Sequence, residues 1–179
     1  MSKLHVPVTA KDHRQGNPEA GCTLVEYGDY ECPYCGQAYP LVKRLQKHFG
    51  VELLFVFRNF PLSEMHPRAE HAAEAAEFAA AHGLFWEMHD LLYENQENLD
   101  DGSLTELANQ LNLPGTKLLE VLEAGAYHER IRADFLGGVC SGVNGTPTFF
   151  INGQRHDAAF SFESLLAAIQ QELDRGTGE

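Results

Sequence analysis

Apolar residues along this chain follow two rhythms, and the change between them divides it. Cys22-Thr23-Leu24-Val25-Glu26-Tyr27-Gly28 is a β-rich run closed by glycine, and Glu52-Leu53-Leu54-Phe55-Val56-Phe57-Arg58 is a second, nearly continuous apolar run. Strands covered on both faces carry runs of this kind. Between them, Leu41, Val42, Leu45 and Phe49 recur at helical spacing until Gly50 stops the pattern. Strand, helix, strand at this spacing is a βαβ unit.

From Pro67 to about Val139 every strong signal is helical. Pro67 suits a first turn, Gly83 closes an Ala- and Glu-rich stretch, and Phe85, Met88, Leu91 and Leu92 share one face. Ser103 and Glu106 read as a capping box before Leu107 and Leu111. Pro114-Gly115 break the chain, and further helices run through Leu118-Leu119 and Ile131 to Phe135. β character then returns at Pro147-Thr148-Phe149-Phe150-Ile151, turns at Asn152-Gly153 and yields to a helix from Ser161 to about Leu173. The expected order is βαβ, a helical block, then ββα. Residues 22–63 and 140–179 would form one α/β domain and 64–139 an inserted all-helical domain. Residues 1–21, with Pro7, Gly16, Asn17, Pro18 and Gly21, read as an extended lead-in.

Composition narrows the partners. The 179 residues suit one domain carrying an insertion. With 13 Lys plus Arg against 26 Asp plus Glu, the net charge is −13, the wrong sign for tracking phosphates. No apolar run approaches the roughly 18 to 20 residues of a membrane span. Nucleic acid and membrane are therefore not expected partners. Met1 to Pro7 lack the apolar run of a secretory signal, which reads as cytoplasmic unless a mature exported form has been given a new start Met. Four cysteines are too few for a disulfide scaffold, and in a reducing compartment such cysteines are more often catalytic or metal-binding.

Cys32-Pro33-Tyr34-Cys35 falls just after a predicted strand and at the start of a predicted helix. The reactive form of cysteine is the thiolate, and free N–H groups and the helix dipole favour negative charge there. Cys32 should therefore be the attacking sulfur, with Cys35, one turn on and more buried, resolving the mixed disulfide. Pro33 pre-sets an early helical backbone angle. The competing reading is half a zinc site, but zinc takes about four ligands. No second Cys-x-x-Cys or suitably spaced His pair is present, so no metal is expected.

The run from Glu26 to Gly36 resembles the active-site segment of the DsbA-like branch of the thioredoxin-fold oxidoreductases. Three further stretches share the resemblance: Arg58-Asn59-Phe60-Pro61-Leu62, Phe85-Trp86-Glu87-Met88-His89-Asp90, and Gly142 to Gly153 around Thr146-Pro147. It covers about Cys22 to Leu173 and implies a thioredoxin fold with a helical insertion. By resemblance, Cys32 is the nucleophile, Cys35 the resolving thiol and Pro147 a cis-proline facing them. Thr146, with Pro33 and Tyr34, would contact substrate. Glu26 matches a buried acid that moves protons to or from Cys35; otherwise it is a satisfied edge-strand carboxylate. The strongly oxidising members place histidine where Tyr34 stands, so this chain should be less oxidising. Asp29 and Glu31, if close, push the same way by disfavouring a thiolate.

The remaining candidates read more plainly. Cys22 and Cys140 are either two small buried hydrophobes, the favoured reading, or a second disulfide. His66 and His71 are five apart and His82 and His89 seven apart, neither being ligand spacing on a helix. Most histidines should be solvated or cap-like. The Phe85, Trp86, Met88, Leu91, Leu92 stripe is core before it is a groove, whereas Tyr30, Tyr34 and Tyr39 are better groove candidates. At least one of Phe149 and Phe150 should be core. The expected activity is thiol–disulfide exchange on protein or peptide substrates, needing no cofactor beyond the cysteine pair. Glutathione or a reductase is a candidate electron partner. The alternatives are a glutathione-dependent transferase or isomerase and a non-catalytic peptide-binding or chaperone module.

Overall fold

A computed structural model describes residues 2–176; Met1 and residues 177–179, the ends of the predicted segments 1–21 and 140–179, lie outside the described residues. The strands are β1 (His13–Gly16), β2 (Cys22–Gly28), β3 (Leu53–Asn59), β4 (Thr148–Ile151) and β5 (Gln154–Arg155). They form one sheet in the order β1-β3-β2-β4-β5. β2 and β3 are parallel and the other pairings antiparallel. The helices are α1 (Pro33–Phe49), α2 (Ala69–Ala80), α3 (Phe85–Glu94), α4 (Asp101–Gln110), α5 (Gly115–Ala124), α6 (His128–Cys140) and α7 (Phe162–Gly176). This is a thioredoxin fold, with α2 to α6 between its βαβ and ββα halves.

The central strands have no wet face. Leu24 and Phe149 face α1 and α7, while Val25, Tyr27 and Phe150 face α6 and the N-terminal arm. Phe149 and Phe150 are thus both core, on opposite sides of the sheet. The insertion's core is continuous with the first face through Ala72, Ala76, Met88 and Leu92. α1 buries Val42, Leu45 and Phe49, each contributing about 1.5–3 kcal/mol. It runs through Pro40, which withholds one helical N–H. The turn into β5 is the tight one its sequence demands, with Asn152 and Gly153 both at positive φ.

Two expectations change. The lead-in 1–21 contains β1, and Lys3 bridges to Gln154 on β5, so this arm lies on both edges of the sheet. α4 is capped by Asp100, whose carboxylate accepts from the Ser103 N–H at 2.8 Å; Ser103 is inside the helix rather than at its cap. The Phe85 stripe is core as read, with Phe85, Met88 and Leu92 buried and the Trp86 indole donating to the Arg14 carbonyl at 3.1 Å.

Candidate active site

The dithiol is built where β2 hands over to α1. Being central, β2 is held from both sides, and the chain turns tightly out of it: the Cys32 N–H donates to Asp29 O and the Gly36 N–H to Cys32 O, both at 3.1 Å. Cys32 is the residue before the first helical turn, where Ser or Asp would ordinarily cap, and no side chain caps in its place. Pro33 follows where a missing N–H costs nothing. The Cys32 residue is 3% exposed and Cys35 fully buried.

The two sulfurs ionise very differently. Cys32 is lowered to about 5, chiefly because the Cys35 thiol hydrogen-bonds to it. That bond outweighs burial, and Thr146 and the N–H groups of Cys35 and Tyr34 add to it. Cys35 is pushed well up by burial, by the same hydrogen bond, in which it holds the proton, and by the charge of Glu26.

Facing them, the Thr146–Pro147 peptide is cis. The protonated Cys32 sulfur donates to the Thr146 carbonyl at 3.4 Å, and the Thr146 hydroxyl is buried without a partner. Ionising the sulfur supplies that hydroxyl with an acceptor, which is why Thr146 favours the thiolate. The segment is pinned by Thr148 Oγ1 donating to Gly145 O at 2.7 Å and by Arg155, which donates to Gly142 O and Asn144 Oδ1.

Glu26 lies on the dithiol side of β2, buried, with Oε1 unpartnered. Burial first, then negative charge at Cys32, push it up to about 8. The satisfied edge-strand reading fails on both counts, since β2 is central and the oxygen has no donor.

The tyrosines separate. Tyr34 is 59% exposed and packs edge-on to Phe160, and Pro33 is exposed beside it. Tyr30 is not a groove residue: it is buried against Phe57 and Tyr93, with its hydroxyl 3.0 Å from His89 Nδ1. Tyr39 stacks on Tyr93 and donates to Glu94, bridging α1 and α3.

Asp29 and Glu31 are also occupied otherwise than expected. Asp29 accepts from the N–H groups of Glu31 and Leu62 at 2.8 and 2.9 Å and lies 2.8 Å from His66 Nδ1. Glu31 accepts from the Arg68 N–H at 2.7 Å.

The sequence reading passed over Gln96, in the turn after α3. Its Nε2 donates to Tyr30 O at 2.9 Å and Cys32 O at 2.7 Å, tying the insertion to the active-site turn. Gly36 makes room, since a Cβ there would overlap the Gln96 amide. A glycine immediately after the second cysteine was the available signal.

All four cysteines are free thiols. Cys22 is buried on the α7 side, and Cys140 is exposed at the end of α6, across the sheet. The buried-hydrophobe reading therefore holds for Cys22 and fails for Cys140, and the two do not pair. His89 departs from the solvated reading: it is buried, and burial, then Lys43 and His13, keep it well below its ordinary value. Among the described residues no group of three or more His, Cys, Asp or Glu side chains could hold a metal.

A family model described as Thioredoxin matches residues 8–171. The crystal structure of BdbD from Bacillus subtilis (oxidised) superposes with TM-score 0.87 at 24% identity, covering 97% of this chain and 98% of that one. A thioredoxin-like oxidoreductase from Silicibacter pomeroyi gives 0.79 at 24% identity, over 96% and 95%. Alpha-DsbA1 of Wolbachia pipientis gives 0.82 at 19%, over 97% and 96%. In sequence, the chain is 47% identical over 167 residues to a Salinispora arenicola protein named Na(+)/H(+) antiporter NhaA 1, and 46% identical over 167 to NhaA 3 of Salinispora tropica. In each case 93% of this chain is covered but only 26% of the relative, so the chain spans about a quarter of the curated relatives it matches. With a family match over most of its length and a DsbA-like fold agreeing nearly end to end, the chain belongs to the thioredoxin family.

Proposed function

We propose that the chain is a thiol–disulfide oxidoreductase acting on protein or peptide substrates through Cys32 and Cys35. The observation that carries this reading is the split between the sulfurs. One, lowered to about 5, is almost wholly thiolate near neutral pH, while its neighbour one turn on keeps its proton. In the reductive direction the Cys32 thiolate attacks one sulfur of a substrate disulfide. A Cys32–substrate bond forms, the substrate S–S bond breaks, and the other substrate sulfur leaves as thiolate. Cys35 then gives up its proton and attacks Cys32 Sγ, releasing the second substrate thiolate. Two electrons have passed to the substrate and the protein holds the disulfide.

Glu26, unpartnered and raised to about 8, is suited to take the Cys35 proton. Thr146 and Pro147, half-exposed, and Pro33 and Tyr34, exposed, form the rim a substrate backbone meets. The cysteine pair carries the electrons itself, and glutathione or a reductase would reset it. One structural relative is called a thioredoxin-like oxidoreductase, which supports the reading. The antiporter relatives bear on it only through the quarter of their length that this chain spans. Among the described residues of this chain no helix is long and apolar enough to cross a membrane.

The test is the midpoint potential of the pair. Equilibration across glutathione buffers, trapping with an alkylating mass tag and digestion should show one two-electron transition, with both tags on Cys32 and Cys35. Two cysteines that never form a reversible disulfide would overturn the reading.

A further inference from the structure

Between the cysteines stand only Pro33 and the neutral phenol Tyr34, yet a histidine approaches from another part of the chain. His66 reaches in from the loop between β3 and α2, its Nδ1 2.8 Å from an Asp29 oxygen; the Asp29 side chain is fully buried and that of His66 is 15% exposed. Asp29 is no bystander to the sulfurs. Its N–H donates to Cys35 Sγ at 3.5 Å and its carbonyl accepts from the Cys32 N–H. Two backbone N–H groups and His66 converge on its carboxylate. A buried carboxylate this close to a dithiol opposes a thiolate unless a cation answers it.

We propose that His66 is a positioning residue for the dithiol: paired to Asp29, its imidazolium cancels the buried carboxylate and so sets how readily Cys32 ionises. This rests on the thiol–disulfide reading and names a residue that sets its reactivity. The groups acting on His66 agree. Burial lowers it, but the hydrogen bond and charge of Asp29, then the charges of Cys32 and Glu31, outweigh burial and leave it raised. Arg68, the N-cap of α2, gives its N–H to Glu31, and Glu70 in that helix's first turn is engaged by Ser63 and His128. Asp29 is thus the carboxylate His66 answers. Because His66 is raised, the stability of its charged pair is full below its unfolded value and is lost as pH rises through the folded one. The same linkage runs from the sulfur: once Cys32 enters a disulfide its charge is gone, and His66 holds its proton less tightly.

The thiolate absorbance of Cys32 near 240 nm, titrated in reduced protein, tests this without requiring any disulfide to form. His66→Gln should raise the Cys32 midpoint by about one pH unit, a tenfold change in its ionisation equilibrium. Adding Asp29→Asn should bring it back. No rise, or a rise that persists in the double variant, overturns the proposal. Wild-type protein gives an independent check should the variants fold poorly. The His66 imidazole, followed by NMR, should titrate at lower pH in the oxidised protein than in the reduced, and equal midpoints overturn the proposal. A cysteine pair that cannot cycle defeats the proposed activity instead, leaving the absorbance titration to decide the role of His66.

Discussion

Glu26 and Arg58 sit one register step apart on neighbouring strands, and the protein treats them in opposite ways. Tyr27 pairs with Arg58 and Glu26 with Phe57, and the two charged side chains leave opposite faces of the same sheet. On the α6 face all five N–H groups of Arg58 are used: two on Asp12, one on the Tyr27 hydroxyl, and one each on the carbonyls of Val6 and Pro7. On the α1 face Glu26 is left with an oxygen that nothing donates to. A saturated buried charge holds the arm against the sheet and has no proton to trade. An unsatisfied one trades stability for a proton held near neutrality, and it lies on the face that carries the sulfurs.

Removing the sulfur is the severest way to break this comparison. Cys32→Ser should lower exchange turnover by about a thousandfold or more in a disulfide reductase assay while leaving the denaturation midpoint nearly unchanged in acid, below the folded Cys32 value of about 5. On the other face the consequence inverts. Asp12→Ala strands Arg58 without its carboxylate and should cost about 3–5 kcal/mol in a urea titration, with the midpoint potential of the dithiol unmoved.

Glu26→Gln sharpens the contrast through pH. Because the folded value, about 8, lies above that of a free carboxyl, the stability Glu26 contributes is full in acid and is lost as pH rises through 8. In reduced protein the stability difference between variant and wild type should therefore move by about 3 kcal/mol in the variant's favour from below pH 4 to pH 7. Tyr34→His is the mildest change. A cation beside the thiolate should raise the reduction potential by on the order of 30 mV, measured against glutathione; no rise would remove Tyr34 as the reason for a less oxidising pair.

What could be read along the chain was what is encoded locally. Cys32 to Cys35, the Asn152-Gly153 turn and the apolar runs of β2 and β3 each carry their signal within a few residues, and each stands where the pattern put it. β1 escaped because His13-Arg14-Gln15-Gly16 is polar: an edge strand pairs on one side only and needs no apolar alternation. The α4 cap was misplaced because Ser103 and Asp100 both suit that role and only geometry chooses between them. Tyr30 was misjudged by its nearness to the motif, whereas the turn points its ring down into Phe57 and Tyr93. Gln96 and His66 were invisible for another reason. Each acts on the dithiol across more than thirty positions of chain, and no periodicity reports contacts made only when the insertion closes.

The arm on the two sheet edges has a consequence for the order of folding. Residues 2–16 are synthesised before anything they pair with. Ser2 and Leu4 bond to Arg155 and Gly153, and β1 to β3. On a ribosome this arm therefore waits, since one half of its seat is made only after residue 155 has emerged. The β5 rim of the sheet is open to pairing with other chains until residues 2–4 reach it. The arm's seat is completed by strands that come after it in the chain.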